Sequence, residues 1–126
     1  MRYTIAATAS LLLAVAPAKA TQGLVCHPAA AKLPRISLVI GAGGIAGASL
    51  DEKGGWISTM ARNPQLILAQ AWIDREQVMA DIVSPGWHRV AELRARFDRP
   101  DPRKPRTARG TLRLRDRTIP VRCVED

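Results

Sequence analysis

The 126-residue sequence has two cysteines, two histidines, one tyrosine and one phenylalanine, and each scarcity excludes something. A structural zinc site takes four ligands, and two cysteines without a CxxC spacing do not supply them; Cys26-His27 is the one adjacent Cys/His pair. Aromatics make up 4% of the chain and do not interleave with the basic residues, so a base-stacking surface is not expected and nucleic acid is not an expected partner. The patterns HExxH, GxSxG and SxxK are missing, His27 and His88 stand alone, and no motif places a nucleophile beside a base. Neither enzymatic activity nor a cofactor is therefore expected. The apolar, uncharged run Ile5 to Val15 has 11 residues where a membrane span needs about 20, so no transmembrane segment is expected.

That short run has a different reading. Arg2 precedes it, Pro17 breaks it, and Ala18-Lys19-Ala20 places small residues where a signal peptidase reads them. Residues 1–20 are read as a cleaved secretory leader and 21–126 as one small domain, too short for a second core. The expected location is periplasmic or extracellular.

In an oxidising compartment the two cysteines have a ready use. Cys26 and Cys123 lie near opposite ends of that domain and are expected to form a disulfide. A closed loop of roughly 100 residues is worth about 4 to 5 kcal/mol at most in the chain-entropy model.

Gly41-Ala42-Gly43-Gly44-Ile45-Ala46 fits the glycine pattern of a dinucleotide-binding turn. Such a turn must open a helix, and here Gly54-Gly55 follows within about ten residues, at a cost of about 2 kcal/mol to a helix relative to alanines. No Asp or Glu lies between Glu52 and Asp74 to hold a ribose. The segment is read as a bend between two strands, where glycine permits positive φ or close backbone approach.

The remaining pattern is that of strands separated by turn residues. Arg35 to Ile40 alternates, Ile45 to Leu50 alternates more weakly, and Trp56 to Met60 is a candidate short strand. Leu66 to Ile73 and Gln77 to Val83 would pair about Asp74-Arg75-Glu76. Along His88 to Phe97, Ala91, Leu93, Ala95 and Phe97 share one face and Glu92, Arg94 and Arg96 the other. A basic, proline-rich stretch over 98–109 reads as a flexible loop. A final hairpin turns at Asp116-Arg117, with Leu112, Leu114, Ile119, Val121 and Cys123 inward. The inward set expected elsewhere includes Ile36, Leu38, Ile40, Leu66, Leu68, Trp72, Val78, Ala80 and Ile82. The fold expectation is an all-β domain, a small antiparallel barrel or sandwich of about eight short strands with its ends joined by the disulfide. Asp74 with Gln77 as a capping box leaves a short helix near 75–83, and hence an α+β fold, as the alternative.

In layout, an exported β body bridged between its ends resembles the periplasmic inhibitors of C-type lysozyme. The likeness covers architecture alone. The Ser-x-x-Gly-x-x-Tyr loop of that family has no counterpart here, so no residue is carried over. The resemblance implies a protein-binding inhibitor of a hydrolase.

Charge supplies the other functional reading. The whole chain carries +8, and from Trp87 to Arg122 there are 12 basic and 4 acidic residues, while Thr21 to Gly86 is balanced at 5 and 5. Strand alternation points Arg94, Arg96, Arg113, Arg115 and Arg122 outward, with Arg103, Lys104 and Arg106 on the loop and Arg109 on or beside it. Guanidinium groups grip phosphate and carboxylate in paired contacts, so these residues form a candidate anion-binding face. The partner would be an anionic envelope polymer, lipid headgroups or a protein; the competing reading is a solvated, arginine-rich surface.

Overall fold

The computed structural model describes residues 22–126; the leader assigned to residues 1–20 lies outside them. Nine antiparallel strands form a single sheet among the described residues: β1 (Gln22–His27), β2 (Arg35–Gly41), β3 (Gly44–Asp51), β4 (Trp56–Ser58), β5 (Ile67–Ile73), β6 (Gln77–Val83), β7 (Arg89–Phe97), β8 (Thr107–Leu114) and β9 (Arg117–Glu125). The fold is all-β, and the stretch 75–83 is the tip of the β5–β6 hairpin followed by strand β6, not a helix. Val78, Ala80 and Ile82 are buried at period two, a spacing that would scatter them around a helix.

The strand order is β4-β3-β2-β1-β9-β8-β7-β6-β5. Two meanders, β1 to β4 and β5 to β9, are thus joined side by side through the first and last strands, which share no turn. Cys26 and Cys123 face each other in the β1–β9 ladder and are disulfide-bonded. The bridge latches the one seam that the chain does not connect. The sheet curls into a half-barrel, so closure is incomplete: β4 and β5 are its edges, near enough for β3 and β5 to pack together but without a ladder between them.

The concave face holds the core. Leu24, Ile36, Leu38, Leu50, Ile82, Leu93, Leu112 and Leu114 are its largest buried side chains, and small Ala48, Ala80, Ala91, Ala95 and Ala108 fill between them. Ile40, Leu68, Phe97 and Ile119 only partly join it. Trp72, assigned inward from alternation, is instead on the convex face. The β5–β6 ladder shifts register between Leu68 and Gln70, leaving Ala69 as an extra residue. One inserted residue reverses the phase of the strand beyond it, so Ala71 and Ile73 take the inner side and Trp72 the outer.

Two turns also refine the sequence reading. Gly41 and Gly44 close the β2–β3 hairpin as a pair, and Gly44 at φ 114° uses a conformation that only glycine adopts readily. The glycine cluster is a hairpin turn between strands. The last hairpin turns at Arg115-Asp116, one residue earlier than expected, with Arg115 in the left-handed region at φ 55°. Thr107, Ala108 and Arg109, counted above with the loop, belong to β8. Pro120 fits within β9 because β1 pairs with that strand only from Arg122 to Glu125, leaving Pro120 a partner on one side alone.

Candidate functional site

Burial of alternate residues on three adjacent strands dictates what the convex face displays. Leu93 and Ala95 on β7, Ala108 and Leu112 on β8, and Val121 and Cys123 on β9 turn inward, so Arg94, Arg96, Arg109, Thr111 and Arg122 turn outward. Register then aligns them. Arg96 is paired with Arg109 and Arg109 with Arg122, so three arginines stand directly opposite one another in one cross-strand row. Gln77 on β6 and His27 on β1 extend that row at its two ends.

Directly opposed like charges on neighbouring strands are unfavourable. The ordinary remedy is an acid in the next position, as around Arg94. Its guanidinium lies 2.8 Å from Asp81 and 3.1 Å from Glu92, and it also donates to the Leu93 carbonyl. The row itself has little of this. Arg109 reaches Asp98 at 3.5 Å with both side chains well exposed, a contact worth little in water, and Arg96 and Arg122 have no ion pair among the described residues.

Arg94, Arg96 and Arg109, with Gln77, Met79 and Thr111, rim a shallow depression of about 310 Å³ on this face. Its floor includes Gly110, where β8 approaches β7 so closely that a Cβ would overlap the Arg94 carbonyl oxygen. Beside it on the outer face, Trp72 is paired with Met79 and is 55% exposed. The indole is not free to swing. Its Nε1–H donates to Asp74 Oδ2 at 3.0 Å, while Asp74 Oδ1 accepts from the backbone N–H groups of Glu76 and Gln77 at 2.7 and 2.8 Å. The Trp72 bond first, then these backbone bonds and the nearby charge of Arg96, hold the Asp74 carboxyl below the usual carboxylate range.

The other residues assigned to the anion face are dispersed. Arg113 is outward on β8 opposite Glu92, two positions beyond Thr111. Arg115 sits in the β8–β9 turn, where it forms a bidentate pair with Glu52 that raises its pKa. Arg106 pairs with Glu125 at 2.6 Å and lies over the Phe97 ring at 4.1 Å, at the opposite end of the sheet. Arg103 and Lys104 are exposed on the 98–106 loop. The structure therefore gathers Arg94, Arg96 and Arg122 from the assigned set and adds Arg109, which the sequence reading left on or beside the loop. The signal for Arg109 was its distance from the last turn: a two-residue turn at Arg115-Asp116 places Arg109 opposite Arg122.

The chain matches no protein-family model, no curated protein and no solved structure. Among the described residues no group of three or more His, Cys, Asp and Glu side chains is placed to hold a metal ion, and His27 Nδ1 is engaged with the Pro28 and Ala31 carbonyls at 2.7 and 3.2 Å. No helix among the described residues is long and apolar enough to cross a membrane, and the disulfide fits an oxidising, non-cytoplasmic environment.

Proposed function

We propose that the protein is a non-catalytic, exported module that docks on an anionic surface through its convex arginine face. The anion would be an envelope polymer or a lipid headgroup layer, in the periplasm or outside the cell, reached by way of a leader at residues 1–20. The observation that carries this reading is the Arg96, Arg109, Arg122 row: three guanidinium groups aligned across three strands, two of them in no ion pair among the described residues. An external anion would relieve their mutual repulsion and accept paired hydrogen bonds. Retention on a polyanion column tests it. Replacing Arg96, Arg109 and Arg122 by Gln is expected to move elution to markedly lower salt, and unchanged elution rejects the reading.

A second reading, the hydrolase inhibitor, is favoured by Trp87. This residue protrudes from the β6–β7 turn, 70% exposed and at φ 63°, a conformation uncommon for a bulky side chain. A presented aromatic of this kind suits insertion into a partner's cleft. Full activity of a panel of muramidases in the presence of micromolar protein would eliminate this reading.

A further inference from the structure

We propose that the convex face binds an acidic polysaccharide, with Trp72 stacking on a sugar ring and the Arg96, Arg109, Arg122 row taking the acid groups of neighbouring sugars. The inference rests on the docking function above and names the class of polymer. Arginines alone do not distinguish a charged sugar chain from polyphosphate or a lipid surface; a flat aromatic fixed beside them does. Trp72 is more than half exposed on strand β5, and its polar edge is held by Asp74. A ring held in one orientation presents an apolar face at little entropic cost, which suits the C–H surface of a pyranose. Met79 continues that apolar strip towards the depression, where Gln77 and Thr111 add neutral hydrogen-bonding groups among Arg94, Arg96 and Arg109.

The geometry also favours a chain over a single sugar. From Trp72 on β5 to Arg122 on β9 the site crosses four inter-strand spacings, about 19 Å, and it lies on the open, convex side of the sheet. A bilayer would be met differently. Membrane-interface tryptophans set their amphipathic rings at the headgroup level, whereas the polar edge of the Trp72 indole is tied back to Asp74 on the flank of the sheet.

The test uses the full chain in its oxidised form and four probes: tetragalacturonate, its methyl ester as an uncharged counterpart, inorganic polyphosphate, and vesicles of phosphatidylglycerol. Tetragalacturonate is expected to bind and to perturb tryptophan fluorescence, and its methyl ester to bind at least tenfold more weakly. Trp72→Ala should weaken tetragalacturonate roughly tenfold while leaving polyphosphate within twofold, and Trp72→Phe should recover much of the loss. Arg96→Gln with Arg109→Gln should weaken both ligands. If Trp72→Ala alters neither, or if vesicles bind and the uronate does not, the polysaccharide proposal is overturned while anion docking stands. If the arginine replacements leave every probe's binding unchanged, the docking function fails and this inference fails with it. Circular dichroism of Trp72→Ala checks that the exposed edge strand keeps its fold.

Discussion

Cys26 and Cys123 occupy opposed positions on β1 and β9 and are both fully buried within the core they lock. Because β1 meets β9 without a connecting turn, the disulfide is the only covalent link across that seam. With the cysteines 97 positions apart, its removal is expected to cost up to about 4 to 5 kcal/mol, a large part of the stability of so small a domain. Denaturant unfolding of Cys26→Ala/Cys123→Ala against the oxidised protein measures the loss. Hydrogen exchange should show the β1–β9 pairing losing protection first, since it is the one ladder between the two meanders among the described residues.

The arginine row carries a trade between stability and binding. Arg109→Gln removes the central member of three opposed cations, so the folded state is expected to gain about 0.2 to 1 kcal/mol while polyanion affinity falls. Salt should stabilise the parent protein by screening that repulsion, and stabilise the variant less. Thermal denaturation at low and high ionic strength reads both effects. A variant that loses stability would mean that the row is already neutralised within the fold.

Gly110 permits the close approach of β7 and β8 that underlies the depression. A methyl group there would overlap the Arg94 carbonyl oxygen and press on the Ala95 Cα, and backbone cannot yield as a flexible side chain does. Gly110→Ala is expected to destabilise the domain by about 1 to 3 kcal/mol, seen as a lowered denaturation midpoint. Gly43, whose added Cβ would meet nothing, is the control, and Gly43→Ala should be close to neutral.

Asp74 links the β5–β6 turn to Trp72. Its carboxyl is held below the usual carboxylate range in the fold, so the stabilising effect is complete above that range and is lost as pH falls through the lowered folded value. The Trp72 indole N–H signal in NMR is therefore expected to stay fixed through the pH range where ordinary carboxylates titrate and to shift only below it. Asp74→Ala should release the ring at every pH. An indole signal that moves at the pH where ordinary carboxylates titrate would show that the bond does not lower the Asp74 pKa.

These relations differ in how far they could be read from the chain. Strands β6 to β9 were legible because Val78 to Ile82, Ala91 to Ala95, Leu112 to Leu114 and Val121 to Cys123 each bury every second residue, and an antiparallel sheet solvated on one face imposes just that alternation. Trp72 was not legible, since the bulge at Ala69 leaves no clear mark in the run Ile67 to Ile73, where Gln70 is the one polar residue among six apolar ones. Half of the arginine row follows from the tight β8–β9 turn. The other half depends on the β7–β8 register, and the 98–106 loop between those strands is too long to fix it. Outward direction could thus be inferred for Arg96 and Arg122, but not which arginines become neighbours.

Trp87 separates presentation from packing. At φ 63° a tryptophan pays a backbone cost of about 1 to 2 kcal/mol that glycine does not, and with 70% of its surface in water it recovers little by burial. The turn is held around it by backbone bonds, Trp87 N–H to the Ser84 carbonyl and Ser84 N–H to the His88 carbonyl, each 2.8 Å, which do not need the indole. Trp87→Gly is therefore expected to leave the fold intact and to be neutral or mildly stabilising in thermal denaturation, because strain is released although the unfolded chain gains freedom. Its effect on polyanion retention should be small, since the β6–β7 turn contributes no residue to the arginine row. A marked loss of polyanion binding in Trp87→Gly would move the docking surface to the end of the sheet that carries this turn. A marked loss of stability would instead mean that the indole packs in solution against residues it leaves exposed here.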